Sequence, residues 1–214
     1  MSALSIRSTD NHDPDAAYGP AVPVALSLSA LGGVTFGGLT QLGQSLLPDW
    51  LHSLANSAAP WVVLAFIFAL LSRVMWAACA SGFLTLAGLE LGYVAMAAIR
   101  GYPSAVTTVT FWLVAAIVFG PPVGLGAYLL RIRAERWGAA GGGLLAGIVS
   151  GEGLSSYLRV RDTTTPGYWV AEMLVGLGLL ALVCRRAGVR WAIVGFVVGL
   201  GCLLSTGYIP MFGA

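Results

Sequence analysis

Residues 75–98 read MWAACASGFLTLAGLELGYVAMAA, and Glu90 is the only charged residue among them. A helix needs about 20 predominantly apolar residues to cross the hydrocarbon core of a bilayer, so this run predicts a membrane-spanning helix. Similar apolar runs, separated by short polar stretches, follow one another from about residue 24 onward. Because a helix satisfies its own backbone hydrogen bonds in lipid, the sequence predicts an all-α, polytopic membrane bundle.

The composition of the 214 residues agrees with this class. Hydrophobic residues make up 57% of the chain and charged residues 9%, whereas an ordinary soluble domain is about 25% charged. This excludes a water-soluble globular protein. The formal charge is only +2 and all 11 basic residues are arginine, with no basic stretch of the kind that binds nucleic acid. The predicted partners are the lipid bilayer and a hydrophobic small molecule, and the oligomeric state stays open.

Two regions are predicted. Residues 1–23 contain acidic residues and prolines but no apolar run behind a cationic start, which predicts a disordered cytoplasmic tail rather than a signal peptide. Residues 24–214 form the predicted transmembrane domain, with seven spans near 26–47, 58–72, 75–98, 108–130, 138–157, 168–184 and 191–210. The second span is short, and Asn56 or Ser57 is expected to cap its start. A six-span arrangement, with residues 58–98 as one bent element, is the alternative.

The arginines favour seven spans, because cytoplasmic loops retain positive charge. Seven spans place eight arginines on one side (Arg7, Arg73, Arg131, Arg133, Arg136, Arg185, Arg186 and Arg190) and three on the other (Arg100, Arg159 and Arg161). This distribution predicts a cytoplasmic N-terminus and an exoplasmic C-terminus.

Spans one and five are similar to each other. Both are rich in glycine, and each is followed by an outer loop with a proline and then by Trp61 or Trp169 at the start of the next span. This pattern indicates a parallel repeat of three spans, a linker span and three spans, although Gly-rich helices also match by chance. Glycines four residues apart predict close helix packing in four spans: Gly33 and Gly37, Gly88 and Gly92, Gly143 and Gly147, and Gly195 and Gly199.

The sequence predicts no metal and no cofactor. Its three cysteines fall inside predicted spans without paired spacing, and its two histidines are His12 and His52. A phosphate-binding loop, a dinucleotide fingerprint, a GxSxG elbow and a DDxxD-type diphosphate motif are all absent from the sequence.

Three glutamates in predicted spans are the candidate functional acids. An ionisable group in a membrane helix is costly unless it faces a cavity or a partner. Glu152 is the leading candidate acid, because Gly151 and Gly153 beside it allow a ligand or a helix to approach closely. Glu172 or Asp49 is predicted as its partner or as the proton acceptor. Structural alternatives remain for Glu172, as a carboxylate at a helix N-terminus, and for Glu90, as a hydrogen-bonding link between helices.

Residues predicted to bind a substrate converge on the outer half of the bundle. They are Asn56, Trp50, Trp61, Trp112, Tyr157, Tyr168, Trp169 and Glu90. An acid in an apolar cavity can protonate an alkene, and aromatic faces stabilise the resulting carbocation while water is excluded. The aromatic residues near the outer surface also fit a simple interfacial belt.

Two stretches carry a resemblance to known proteins. Residues 54–63 (LANSAAPWVV) and residues 150–157 (SGEGLSSY) resemble a family of small seven-span bacterial membrane proteins, over roughly residues 28–207. The chain also resembles the bacterial integral-membrane terpene cyclases of drimentine-type pathways. That resemblance implies an enzyme of the bacterial cytoplasmic membrane that protonates and cyclises a farnesyl chain on an indole or cyclodipeptide without losing diphosphate. It transfers no catalytic residue to this chain.

A different class of function also fits the sequence. A small transporter or channel with parallel three-span repeats would use Glu152 and Glu172 to bind a proton, a cation or a polar solute, and the Gly120-Pro-Pro-Val-Gly run in span four as a hinge. A membrane scaffold without any small-molecule site is the third reading, in which all three glutamates affect stability only.

Overall fold

The computed structural model describes residues 21–132 and 135–206, and this part of the chain is helical without a strand. The helices are α1 (Val22–Leu46), α2 (Asp49–His52) with a 3-10 turn at Ser53–Asn56, α3 (Ala59–Ala69), α4 (Met75–Ile99), α5 (Val106–Arg131), α6 (Glu135–Val160), α7 (Pro166–Ala187) and α8 (Val189–Thr206). Each of the seven predicted segments overlaps one of these helices, with only the short α2 and the 3-10 turn left over. Helix α1 begins at Val22, two residues before the predicted start of the transmembrane domain. Residues 1–20, which make up most of the predicted tail, and residues 207–214 lie outside the described residues.

Four of the described helices, α1, α4, α5 and α7, are long and apolar enough to cross a membrane. The 11 residues of α3 rise only about 16 Å, against about 30 Å of hydrocarbon. Together with Asp49–Asn56, from which it is bent by 58°, α3 reaches the length and composition of a fifth span. The apolar part of α8, Val189–Cys202, is short, and α6 contains several charged residues. That all seven helices cross the membrane stays a prediction.

Helices α1 and α4 pack closely through glycines, as the four-residue spacing of these glycines predicted. A Cβ atom at Gly37 would collide with the Leu89 carbonyl group, and one at Gly92 would collide with the Val34 carbonyl group. The two backbones therefore touch along one face, where any side chain would separate them.

The packing of α6 on α8 reproduces this arrangement. A Cβ atom at Gly147 would collide with the Phe196 carbonyl group, and one at Gly199 would collide with the Leu144 carbonyl group. A shift of 110 residues takes α1 onto α6, and a shift of 107 residues takes α4 onto α8. The contact of Gly37 with Leu89 then becomes that of Gly147 with Phe196, and the contact of Gly92 with Val34 becomes that of Gly199 with Leu144. The helices at both ends of the described chain thus pack through corresponding backbone positions.

The Gly-Pro-Pro run does not end α5, which continues through Pro121 and Pro122. A Cβ atom at Gly120 would lie 2.6 Å from the Phe83 Cα atom, and one at Gly124 would collide with the Ala78 carbonyl group. This face of α5 is therefore closed against α4. The hydrophobic core lies beside it, where α3, α4, α5 and α6 meet, and includes Phe66, Leu86, Leu89, Val123 and Ile148.

Candidate acid pair and its cavities

A carboxyl group from another helix accepts a hydrogen bond from a backbone amide at the N-terminus of α3. The expected cap by Asn56 or Ser57 is wrong: the N-cap residue is Ala58, and no side chain of the adjoining turn caps the helix. Instead the Ala58 amide donates a 2.6 Å hydrogen bond to Glu152 Oε1, and the Ala59 amide and Ser57 hydroxyl also interact with this carboxyl. The first amides of a helix have no hydrogen-bond acceptor within that helix. Glu152 of α6 supplies an acceptor for those of α3.

A second buried carboxyl meets the same turn. The Ser57 hydroxyl donates a 2.7 Å hydrogen bond to Glu172 Oε1 on α7, and the Tyr168 hydroxyl donates to the same oxygen at 3.3 Å. Glu152 is 8% exposed and Glu172 7% exposed. We call these two residues the acid pair, because Ser57 and Ala58 connect them. The structure thus brings together the predicted acid and one of its two predicted partners.

The acid pair has unused hydrogen-bonding capacity. The Oε2 atoms of Glu152 and Glu172 are both buried, and neither has a hydrogen-bond partner in the described part of the chain. Two carboxylates that interact in a low-dielectric interior repel each other, so a proton on one of them stabilises such a pair. An Oε2 atom without a partner is the oxygen that can carry that proton.

Glu152 also lines an apolar cavity of about 160 Å³. Aromatic side chains form much of its wall: Trp61 on α3, and Phe111, Trp112 and Phe119 on α5. Leu86, Val123 and Ile148 add to the apolar surface, and among the described residues Glu152 is the only acidic or basic one in the lining. The cavity therefore presents one acid to an otherwise apolar, aromatic space.

A polar cavity of about 240 Å³ adjoins it and shares Ala58, Trp61 and Trp112. Glu90 lines this second cavity and is 3% exposed. In the described part of the chain, the Glu90 carboxyl makes no hydrogen bond and no ion pair to another residue. The described residues therefore contain no hydrogen bond by which Glu90 would link two helices.

A chain of hydrogen bonds fixes the outer wall of the polar cavity. The Tyr93 hydroxyl donates to Gln44 Oε1 at 2.9 Å, and Gln44 Nε2 donates to Asn56 Oδ1 at 2.9 Å. Asn56 Nδ2 in turn donates to the His52 carbonyl oxygen at 3.1 Å. The predicted residue Asn56 therefore lies at the cavity with its amide group oriented by its neighbours.

Four predicted residues make no hydrogen bond to the acid pair in the described part of the chain. Asp49 lines a separate outer cavity of about 490 Å³, and Trp50 is 63% exposed. The Tyr157 ring packs against Arg161, whose guanidinium carbon lies 5.7 Å from the ring centroid. Trp169 is buried and lines the outer cavity, with its indole nitrogen donating to Thr164 Oγ1 at 2.8 Å.

Gly153 has a packing role. A Cβ atom there would lie 2.8 Å from the Trp169 carbonyl oxygen and 2.9 Å from the Met173 amide nitrogen. The glycine therefore lets α7 approach α6, which is how Glu172 comes near Glu152. Close approach was predicted at this position, and the partner is a helix.

Sequence reasoning missed Ser57, Gln44 and Tyr93 as site residues. Tyr93 lies three residues after Glu90 on α4 and thus on the same helix face, so this spacing was an available signal. Ser57 contacts Glu172 across 115 residues of sequence, and no local pattern indicates that contact.

Residues 17–214 match a family of unknown function, DUF6518. The chain belongs to the DUF6518 family. The match includes every helix of the bundle and both members of the acid pair. Neither a curated protein nor a solved structure matches this DUF6518 chain.

Proposed function

We propose that this DUF6518 protein is a membrane-embedded enzyme that protonates and cyclises a prenyl chain, such as a farnesyl group on an indole or a cyclodipeptide, without loss of diphosphate. The observation that carries the proposal is the apolar cavity, in which Glu152 is the single ionisable residue among aromatic walls. Alkene protonation requires an acid in an apolar space from which water is excluded.

In the proposed reaction, Glu152 gives a proton to one carbon of a substrate alkene, and a tertiary carbocation forms at the other carbon. The π electrons of the next double bond attack this cation and close a ring. Loss of a proton from a neighbouring carbon to a carboxylate ends the sequence, so the product is an isomer of the substrate. Trp61, Phe111, Trp112 and Phe119 stabilise the cation through their ring faces.

The contacts of the acid pair suit this role. After proton transfer, the Ala58 amide stabilises the negative charge on Glu152 through the hydrogen bond already present, and such preorganised donors are efficient. Glu172 meets the same turn through Ser57 and serves as the second carboxyl, which holds or accepts a proton. In this proposal Tyr168 positions Glu172.

The two cavities also suit the proposed substrate in size. Small-molecule sites begin at about 300 Å³, and each cavity alone, at about 160 and 240 Å³, is smaller. In this proposal one ligand occupies both cavities, which adjoin at Trp61 and Trp112. The prenyl chain would lie in the apolar cavity and its head group in the polar cavity.

The proposed setting is a seven-span bundle in a bacterial cytoplasmic membrane, with a cytoplasmic N-terminus. Arg131 supports this topology, because its guanidinium donates to the Leu70 and Ser72 carbonyl oxygens at 2.9 and 3.1 Å and so lies with Arg73 at one end of the bundle. The corresponding glycine contacts of α1 with α4 and of α6 with α8 support the parallel three-helix repeat. Labelling of single cysteines introduced at each end in intact cells tests the topology.

The enzyme assay uses membranes that contain the full protein, incubated with farnesylated indoles and farnesylated cyclodipeptides. Cyclisation gives a product of unchanged mass and altered chromatographic retention. Glu152→Gln should abolish it, whereas Asp162→Asn, which removes an equal charge at an exposed position, should not. An isomer formed at the wild-type rate by folded Glu152→Gln would contradict the assignment.

A transporter is the second candidate, favoured by the bend between Asp49–Asn56 and α3. Discontinuous helices in transporters direct half-helix N-termini at bound groups, and the N-terminus of α3 meets the acid pair. Proteoliposomes would then move a solute or protons, and Glu152→Gln would abolish that flux. Flux without any isomer would favour this candidate, and an isomer without flux would favour the enzyme.

A further inference from the structure

The polar cavity has a feature that the proposed protonation does not use, which is the Glu90 carboxyl. An ionised carboxylate away from water is strongly destabilised unless it is paired. Glu90 is 3% exposed, and the described residues give it no hydrogen bond or ion pair. None of the described residues that line this cavity is basic. A cationic ligand in the cavity would balance an ionised Glu90.

Aromatic side chains surround the same space. Trp61, Tyr93 and Trp112 line the cavity together with Glu90. The ring centroid of Trp61 lies 6.3 Å from that of Tyr93 and 6.1 Å from that of Trp112. Aromatic walls combined with a carboxylate are the chemistry that recognises alkylammonium groups, through cation–π attraction and charge.

The hydrogen-bonding groups of the cavity wall favour an alkylated ammonium over a strongly hydrated cation. The side-chain oxygens of Gln44 and Asn56 already accept hydrogen bonds from Tyr93 and Gln44. A metal ion is disfavoured as well, since the described residues hold no group of three or more His, Cys, Asp or Glu side chains able to bind one.

Arg100, the residue that follows α4, is held by side chains of α1. Arg100 donates to Gln41 Oε1 at 2.9 Å and to Ser45 Oγ at 2.7 Å, both on α1. It lies ten residues beyond Glu90, about 15 Å along the helix. It lines a neighbouring outer cavity of about 410 Å³, which shares Gln44, Tyr93 and Ser104 with the polar cavity. Arg100 therefore leaves the charge of Glu90 available to a ligand.

We infer that the polar cavity binds an organic cation with an alkylated ammonium group, with Glu90 as its counter-ion and Trp61, Tyr93 and Trp112 as its aromatic walls. The inference does not rest on the proposed cyclisation, because binding in this cavity requires no chemistry at Glu152. If both hold, the cyclised substrates include a prenyl chain attached to a cationic head group.

The test measures binding of choline by calorimetry and tryptophan fluorescence, with the full protein purified in an uncharged maltoside detergent free of choline lipids. The control ligand is 3,3-dimethylbutan-1-ol, which has the shape of choline without its charge. Wild-type protein should bind choline at least about tenfold more tightly than this alcohol, because only choline gains from the carboxylate and the ring faces.

Matched variants assign the binding to the cavity. Glu90→Gln keeps the shape and removes the charge, so choline affinity should fall by at least about tenfold, and Trp112→Leu should also weaken binding. Asp162→Asn removes the same charge from an exposed position and should leave the affinity unchanged. Thermal unfolding verifies that each variant is folded.

Three results would overturn the inference: equal affinity for choline and the alcohol, unchanged choline binding in folded Glu90→Gln, or no choline binding by folded wild-type protein at millimolar concentrations. The cyclisation assay is separate, because it depends on Glu152. Failure of choline binding with an isomer still formed would remove this inference alone.

Discussion

The pair of α1 and α4 and the pair of α6 and α8 share their packing but differ in their acids. Gly37 and Gly147 occupy corresponding positions against Leu89 and Phe196. Under the same correspondence, Glu152 matches Leu42 in the first half, and Glu90 matches Val197 in the second. The backbone contacts recur, while each buried acid occurs in one half alone. The glycine contacts within these two helix pairs therefore do not require an acid at the corresponding position, which supports a role for Glu90 and Glu152 beyond that packing.

The second helices of the two halves differ as well. α7 has 22 residues and begins at Pro166, whereas α3 has 11 and begins at Ala59. The shorter α3 starts inside the bundle, so its first amides lie where Glu152 and Glu172 are buried. The candidate site therefore lies where Glu152 of α6 and Glu172 of α7 meet the N-terminus of the short helix α3.

The largest predicted effect is the loss of isomerisation activity on replacement of Glu152, the acid that has no counterpart in α1. Glu152→Gln keeps an oxygen for the Ala58 amide but removes the proton that the reaction needs. We expect the isomerisation rate to fall at least about 100-fold, within the range for loss of a general acid. Initial rates in membranes with matched protein levels give the comparison, and a loss of less than about threefold would contradict the assignment.

The next prediction tests the recurring packing. Gly37→Ala and Gly147→Ala each place a methyl group against a carbonyl group of the facing helix, so each should destabilise the protein by roughly 1–3 kcal/mol. Gly178→Ala is the control, because nothing lies within 4 Å of its added Cβ atom. Thermal unfolding in detergent measures all three. Loss of stability in one half alone would show that the contacts are not equivalent.

A smaller effect is expected at the turn that joins the acid pair. Ser57→Ala removes the hydroxyl that donates to Glu172 at 2.7 Å, so we expect roughly a tenfold lower isomerisation rate, the value of one charge-assisted hydrogen bond. Ser57→Thr keeps a hydroxyl and should recover part of the rate. Equal rates in Ser57→Ala and wild type would show that Glu172 needs no such donor.

The smallest effect is expected at Tyr168. Its hydroxyl reaches Glu172 Oε1 at 3.3 Å, a longer bond than that of Ser57. Tyr168→Phe should therefore lower the isomerisation rate only about threefold, as measured beside Ser57→Ala. A larger loss than in Ser57→Ala would reverse the order of importance inferred from the two distances.

The helices were predictable because apolar runs of sufficient length are a local property of the sequence. Residues 75–98 were predicted as a span, and α4 is Met75–Ile99. The helical turns at Asp49–Asn56 were not predicted, since their polar residues indicate an outer loop and only tertiary contacts place them. For this reason Asp49 was expected beside Glu152, whereas the structure places it in the outer cavity.

The acids of the site were also predictable, because a charged residue inside an apolar run is easily recognised in the sequence. Glu90, Glu152 and Glu172 stood out in this way, and all three are buried. Their partners did not stand out. Ser57 and the Ala58 amide become site residues only because α3 begins beside α6 and α7, and a sequence pattern within α3 does not contain that information.

The most direct test of the account is a single turnover in D₂O, with protein in excess over a farnesylated substrate and Glu152 first exchanged with the solvent. If Glu152 gives its proton to the alkene, the isomeric product carries one deuterium, and folded Glu152→Gln forms no product. An isomer without deuterium, or a deuterated isomer from Glu152→Gln, would contradict the claim that this buried acid starts the reaction.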